Sequence, residues 1–391
     1  MSVYQKALDA HAKWKGKIET TLKEPITDRE VLGLAYTPGV AQPCREIANN
    51  PEDIYKYTWK GNTVAVVSDG SAVLGLGNIG ARASMPVMEG KACLFKQFGQ
   101  VDAVPIILDT QDTEAIIATV KAIAPTFGGI NLEDIAAPQC VEIERRLIEE
   151  LDIPVFHDDQ HGTAIVVAAG LINSLKLVNK KPEDVTVVVS GTGAAGNSII
   201  RILNQLKVKE IYGFNINGII IKEDADKYGF LEKELMDLTN YSNKRLTMEE
   251  AMKEADVFVG VSAAGLVSYE MVKSMKKDPI VFAMANPEPE ITYELAKEAG
   301  AAVVGTGRSD APNQVNNILA FPGIFRGALD CRATKITEEM KMAAAVGLAS
   351  LVSEDELTAE YVIPDAFNPN VAKVVADEVV RVARETGIAK A

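Results

Sequence analysis

One stretch restricts this chain more than any other. Residues 184–215 read, in order, a valine-rich run DVTVVVS, a glycine loop GTGAAG (191–196), a helical pattern NSIIRILNQL (197–206) and a second apolar run EIYGFN (210–215). When a strand feeds a helix through G-x-G-x-x-G, each glycine has a physical job. The first makes a tight turn, the second lets backbone approach a pyrophosphate, and the third lets helix and strand pack closely. The helix N-terminus then offers free N–H groups and a positive dipole end to the phosphates. Gly191, Gly193, Ala194, Ala195 and Gly196 are therefore candidate dinucleotide contacts. Later apolar runs at 256–262, 279–285 and 301–306 alternate with helical patterns. That alternation predicts a parallel sheet covered on both faces, a Rossmann-type doubly wound α/β domain over 161–322.

Gly75, Gly77 and Gly80 form a second match to the same spacing, but Pro86 follows within six residues and is expected to interrupt a helix. This match reads as a structural or substrate-side loop. The first match lacks one usual partner. The second strand of such a unit ends in an acid that accepts the ribose 2′-hydroxyl of NAD; here it ends in Asn215, with Asn217 after it. An amide bonds a hydroxyl and does not repel a 2′-phosphate, so NAD and NADP both stay open. Lys222 reads as a solvated surface lysine.

The region before residue 160 mixes helices with short strands. TVAVVSD (63–69) and VDAVPIILD (101–109) read as buried strands, and 114–124 and 142–151 as amphipathic helices. A helical pattern over 161–178 leads into the dinucleotide region. The tail from 323 is again helical, too short for a domain, and is expected to pack back on the N-terminal domain (1–160). The chain of 391 residues has a formal net charge of −14 and a pI near 4.9. An acidic surface repels phosphate backbones and anionic lipid, which argues against nucleic acid and membrane as partners. No signal-peptide core opens the sequence, and the four cysteines form no C-x-x-C pair. Both readings fit a reducing cytoplasm.

Two acidic pairs carry the remaining chemistry. Glu133 and Asp134 sit in GGINLEDIAAP, and Asp158 and Asp159 in PVFHDDQHGTA. Each pair follows an apolar run and so lies near a strand end. Half-buried carboxylates there need a cation, and oxygen ligands without thiolates favour Mg²⁺ or Mn²⁺. His157 and His161 flank the second pair and read as hydrogen-bonding or packing groups.

Eight segments together resemble the malic enzymes: LAYTPGVAQPC (34–44), VVSDGSAVLGLGNIG (66–80), PVMEGKACLFKQFG (86–99), GGINLEDIAAP (128–138), VFHDDQHGTA (155–164), GTGAAG (191–196), FAMANPEPE (282–290) and PNQVNNILAFPGIFRGAL (312–329). The resemblance implies a short bacterial-type enzyme that oxidises malate with NAD or NADP and a divalent metal, releasing CO₂ and pyruvate. It implies an N-terminal α/β substrate and metal domain completed by the C-terminal helices, and a homodimer. By the same resemblance Glu133, Asp134 and Asp159 match the metal ligands, Lys91 the general base and Tyr36 the general acid. Asn286 and Asn317 match substrate-holding residues, and Asp158 a supporting acid. Such a base must lose its proton, which requires a depressed lysine pKa. In the larger family members an arginine that binds the substrate carboxylate stands where this chain has Ala72. A metal-dependent oxaloacetate decarboxylase on the same scaffold is the alternative. Whether the site is shared between subunits is left open by the sequence.

Overall fold

The computed structural model describes residues 2–73 and 75–391. Three helices come first: α1 (Val3–Trp14), α2 (Arg29–Ala35) and α3 (Ala41–Asn49), and none of them holds a buried residue. The folded body begins at β1 (Thr63–Ser68), which leads to the long helix α4 (Ala81–Gly99). Then follow β2 (Asp102–Ile107), α5 (Thr113–Ile123), β3 (Gly129–Leu132), α6 (Gln139–Glu150) and β4 (Val155–His157). These four strands make one parallel sheet in the order β2-β1-β3-β4.

β1 is buried along its whole length because both faces are covered. Val64 and Val66 enter the core that holds Met88 and Phe95 of α4, while Ala65 and Val67 enter the core that holds Ile116 and Ile143 of α5 and α6. β2, expected as a buried strand, is only half-buried, because it is the sheet edge. The edge also explains how Pro105 sits in it: a missing N–H costs nothing where no further strand needs a donor. A second expectation fails at Pro86. α4 runs through it unbroken. Proline there removes a bond only to the carbonyl of Arg82, an exposed residue in the first turn that water can serve.

α7 (Asp158–Leu177) joins the two sheets, starting three residues earlier than the apolar pattern suggested. It leads to β5 (Thr186–Ser190), α8 (Ala194–Gln205), β6 (Glu210–Asn215), the short β7 (Gly218–Ile219), β8 (Val257–Gly260), β9 (Ile280–Ala283) and β10 (Val303–Thr306). The second sheet has the order β10-β9-β8-β5-β6-β7, parallel throughout except for the β6–β7 hairpin. The chain reverses direction between β5 and β8, the switch point beside which open α/β sheets hold their ligands.

Three helices close the chain: α9 (Phe321–Asp330), α10 (Glu338–Ser350) and α11 (Val371–Glu385). α9 packs on α11 and on α4, and α10 packs on α11 and α7. Gly323 and Gly327 make the α9–α11 contact close, since a Cβ at either would fall within 2.6 Å of Val375 or of the Ala376 carbonyl. No helix of the described chain is long and apolar enough to cross a membrane.

Candidate active site

The C-terminal edge of the first sheet collects the carboxylates. β3 runs out into Glu133 and Asp134, and β4 into His157 and the first turn of α7, which carries Asp158 and Asp159. Because β3 and β4 are neighbours in register, with Leu132 opposite His157, the two acidic pairs face each other. One oxygen each of Glu133, Asp134 and Asp159 lies within 4.8 Å of the others. The Asp134 N–H donates to Asp159 Oδ2 at 2.8 Å, which ties the two loops together. Asp134 takes a left-handed backbone, φ 53°, a conformation an aspartate adopts more readily than most side chains.

Lys91 reaches this cluster from α4. Its ammonium donates to Glu133 Oε1 at 2.8 Å and to Asp158, and it stands 4.0 Å from the ring centre of Phe321. Burial works against its charge, but Asp158, Glu133 and Asp159 outweigh that and hold the lysine above its ordinary range. This is the reverse of the depressed lysine expected for a base. With only the protein's own groups present, the surrounding carboxylates keep its proton on. Burial also raises Glu133, Asp158 and Asp159, since one ammonium does not balance the acids around it. The donor set therefore fits a divalent cation: oxygen ligands only, converging, and short of positive charge.

The second sheet supplies the other wall. Gly191 has φ 95°, and a Cβ there would meet the Val261 carbonyl at 2.6 Å. A Cβ on Gly196 would lie 1.7 Å from the Gly191 carbonyl, so helix and strand pack through that glycine. Nothing stands within 4 Å of a Cβ built on Gly193, the glycine whose backbone would approach a pyrophosphate. α8 begins at Ala194 without a side-chain cap, which leaves its first N–H groups available to a ligand.

A cleft of about 450 Å³ lies between the two sheets. Asp134 and Asp159 line one side, Ala194 and Ala195 another, and Asn286 and Asn317 a third. Gly75 also faces it, so tightly that a Cβ would fall 2.4 Å from the Asn286 carbonyl. The second glycine loop thus borders the cleft at Gly75. One cleft takes in Asp134, Asp159, the first two residues of α8 and both asparagines, while Lys91, Glu133 and Asp158 are not among the residues that line it. Residues 15–148 match the model of the malic enzyme N-terminal domain, and residues 160–384 match the malic enzyme NAD-binding domain. The chain belongs to the malic enzymes.

Among its relatives in that family, a bifunctional malic/malolactic enzyme of Bacillus subtilis is 56% identical over all of this chain and 95% of its own. An NAD-dependent malic enzyme of Geobacillus stearothermophilus is 58% identical over 96% of this chain and 78% of its own. The crystal structure of malic enzyme from Pyrococcus horikoshii superimposes with a TM-score of 0.94 at 50% identity, over all of this chain and 92% of that one.

Not every predicted site residue joins the cleft of this malic enzyme. Tyr36 is 67% exposed at the end of α2 and is absent from the cleft lining. Asn215 lies at the end of β6, where its Oδ1 accepts from the Asn217 N–H at 2.8 Å. His157 and His161 stand outside the ligand cluster: His161 Nε2 pairs with Glu144 at 2.8 Å, and burial drives the His157 ring down to about 4, leaving it neutral at pH 7. Lys222 is an exposed lysine 3.4 Å from Asp237. Ala72 lines the cleft, and among the described residues that line it there is no lysine or arginine. Three supporting groups escaped the sequence reading. Asn131 donates to Glu133 Oε2 at 2.8 Å, Phe321 lies against Lys91, and Gly162 leaves room for the Asp158 carboxylate, whose Oδ1 would sit 1.9 Å from a Cβ on that glycine. All three lie in or beside segments already singled out, but none is a titratable group.

Proposed function

We propose that this cleft carries out the family's reaction, the oxidative decarboxylation of malate to pyruvate and CO₂ with reduction of NAD or NADP. The observation that carries the reading is the single cleft lined by Asp134 and Asp159, the start of α8 and both asparagines. Glu133, Asp134 and Asp159 would hold Mg²⁺ or Mn²⁺, with Asp158 supporting Lys91. A cation held there would supply Lewis-acid charge where decarboxylation leaves an enolate, and a dinucleotide held by the Gly191–Gly196 turn would supply the hydride acceptor.

The chain's own groups handle positioning and protons. Asn286 and Asn317 hold the substrate in the cleft. Lys91 accepts the C2 hydroxyl proton as hydride departs, and Tyr36 gives a proton to C3 after the C4 carboxylate leaves. One proton is lost and one gained, so transfer from Lys91 to the Tyr36 phenolate restores both groups. Lys91 must first release the proton that Glu133 and Asp158 hold on it, and positive charge on the carboxylates favours that release.

Either dinucleotide fits this reading. No carboxylate ends β6 to reject a 2′-phosphate, and Asn215 uses its oxygen within the hairpin, which leaves its Nδ2 as the group to donate to a ribose hydroxyl or a 2′-phosphate. Relatives of both kinds exist: the Geobacillus stearothermophilus enzyme is NAD-dependent, and a Rhizobium meliloti enzyme, 46% identical over 99% of this chain and 53% of its own, is NADP-dependent. The division into a catalytic domain (1–160), a dinucleotide domain (161–322) and a helical tail (323–391) belongs to the same proposal. So do a homodimer and, from four unpaired thiols, a cytoplasmic setting. The test is absorbance at the reduced-nicotinamide band with malate, Mn²⁺ and each dinucleotide in turn. Reduction with at least one of them is expected, together with pyruvate. Decarboxylation of oxaloacetate without any malate-dependent reduction would replace this reading with the decarboxylase.

A further inference from the structure

One fully buried carboxylate sits behind the cleft rather than in it. Glu290 has no exposed surface and is not among the residues that line the cleft. Its hydrogen-bond partners are two backbone N–H groups and a hydroxyl. Oε1 accepts from the Ser262 N–H at 2.8 Å and from the Ser262 hydroxyl at 3.2 Å, and Oε2 accepts from the Ala285 N–H at 3.0 Å. The carboxylate also lies flat on the end of β8, where a Cβ on Gly260 would fall 2.4 Å from Glu290 Cδ. Burying a carboxylate costs free energy that an apolar side chain in the same space would not. The role of Glu290 is therefore to be sought in what its three donors belong to.

Those donors come from two walls of the cleft. Ser262 follows β8, Ala285 and Asn286 follow β9, and all three line the cleft. The proton of the Ser262 hydroxyl goes to Glu290, so this hydroxyl accepts from that of Ser190, 2.9 Å away at the end of β5. A Cβ on Gly191 would lie 3.2 Å from that of Ser262, so Ser262 packs directly beneath the dinucleotide turn. Ala285, on the other side, immediately precedes Asn286. The chain on either side of Glu290 is itself anchored: the Gly265 N–H donates to the Pro289 carbonyl and the Val267 N–H to the Glu290 carbonyl, both at 3.1 Å. One carboxylate thus sets the spacing between the dinucleotide wall and the substrate asparagine. The task needs a group that accepts in two directions at once. A glutamine amide would turn its own N–H groups toward one of the two backbone donors.

We propose that Glu290 is a positioning residue, which holds Asn286 at a fixed place against the dinucleotide wall so that malate and nicotinamide meet in one geometry. The inference rests on the reading of Asn286 as a substrate-holding residue, and the experiment separates the two. Malate oxidation is followed at the reduced-nicotinamide band for the wild type, Glu290→Gln and Asn286→Ala, with melting temperatures measured alongside. A residue that binds substrate throughout the reaction shows in KM more than in kcat, and so does whatever positions it. Glu290→Gln leaves one backbone N–H beside Asn286 or beneath the dinucleotide turn without an acceptor, and the KM for malate is expected to rise about tenfold while kcat changes much less. Asn286→Ala should show the same split. A Glu290→Gln protein that melts lower but keeps the wild-type KM overturns the proposal, because Glu290 then serves the fold alone. A wild-type KM in Asn286→Ala removes Asn286 from substrate binding, and the proposal falls with that reading. Should Glu290→Gln fail to fold, Glu290→Asp keeps the charge but reaches about 1.5 Å less far. It cannot serve both loops, and the same rise in KM is expected of it.

Discussion

Burial and charge act against each other at Lys91. A buried ammonium without partners would lose its proton, but three carboxylates reverse that tendency. Truncating it leaves those carboxylates uncompensated and the hydroxyl proton without an acceptor. Lys91→Ala is expected to lower malate oxidation by about 10²–10⁴-fold, with dinucleotide binding, followed by fluorescence, unchanged. Turnover at the wild-type rate would remove Lys91 from the mechanism. Glu144 shows the same balance with the charges exchanged. Burial pushes its carboxyl up, but His161, Lys341 and His157 prevail and hold it at about 2, against an ordinary value of 4.5. A depressed acid stabilises the fold at pH values above its unfolded pKa, and this contribution is lost as pH falls toward the folded value. Glu144→Gln should therefore lower stability at pH 7 by about 2 kcal/mol, measured by denaturant unfolding. The gap to wild type should narrow between about pH 4.5 and pH 2, and a gap that does not change with pH would contradict the account. Two acidic pairs after apolar runs could be singled out in the sequence, but only the resemblance to the malic enzymes pointed to Glu133, Asp134 and Asp159 as ligands. The supporting role of Phe321 was not legible, since an aromatic side chain in an apolar stretch carries no sign of what it will lie against.

Among the elements, the glycine turn after β5 makes the sharpest distinction. Gly196→Ala places a methyl against the Gly191 carbonyl and should destabilise the fold by about 1–3 kcal/mol. Gly193→Ala meets nothing in the protein and should keep its melting temperature while binding dinucleotide more weakly. Thermal unfolding and a dinucleotide titration on both variants check this, and equal destabilisation of the two would contradict it. Strands such as β1 and β5 could be read from sequence because both faces are buried and the apolar run is unbroken. β2 read the same way yet lies at the edge, and no local pattern states which strand has only one neighbour. Pro86 misled for a related reason: whether a helix tolerates proline depends on who serves the freed carbonyl, a question of tertiary exposure.

At the scale of the whole molecule, two parallel sheets joined by α7 set their ligand-bearing edges against one cleft, and the C-terminal helices lock the pair together through α4 and α7. The sequence showed both sheets and the motifs at their edges. It did not show that residues 2–59 would lack a core, because an amphipathic arm and an amphipathic surface helix share one pattern. The central claim is that Glu133, Asp134 and Asp159, brought from two loops, share one cation. Calorimetric titration of Mn²⁺ into the wild type and into Asp159→Ala tests it most directly. The account predicts saturable binding in the wild type and none at the same concentrations in the variant, with dinucleotide binding intact in both. An Asp159→Ala isotherm that matches the wild type would contradict it.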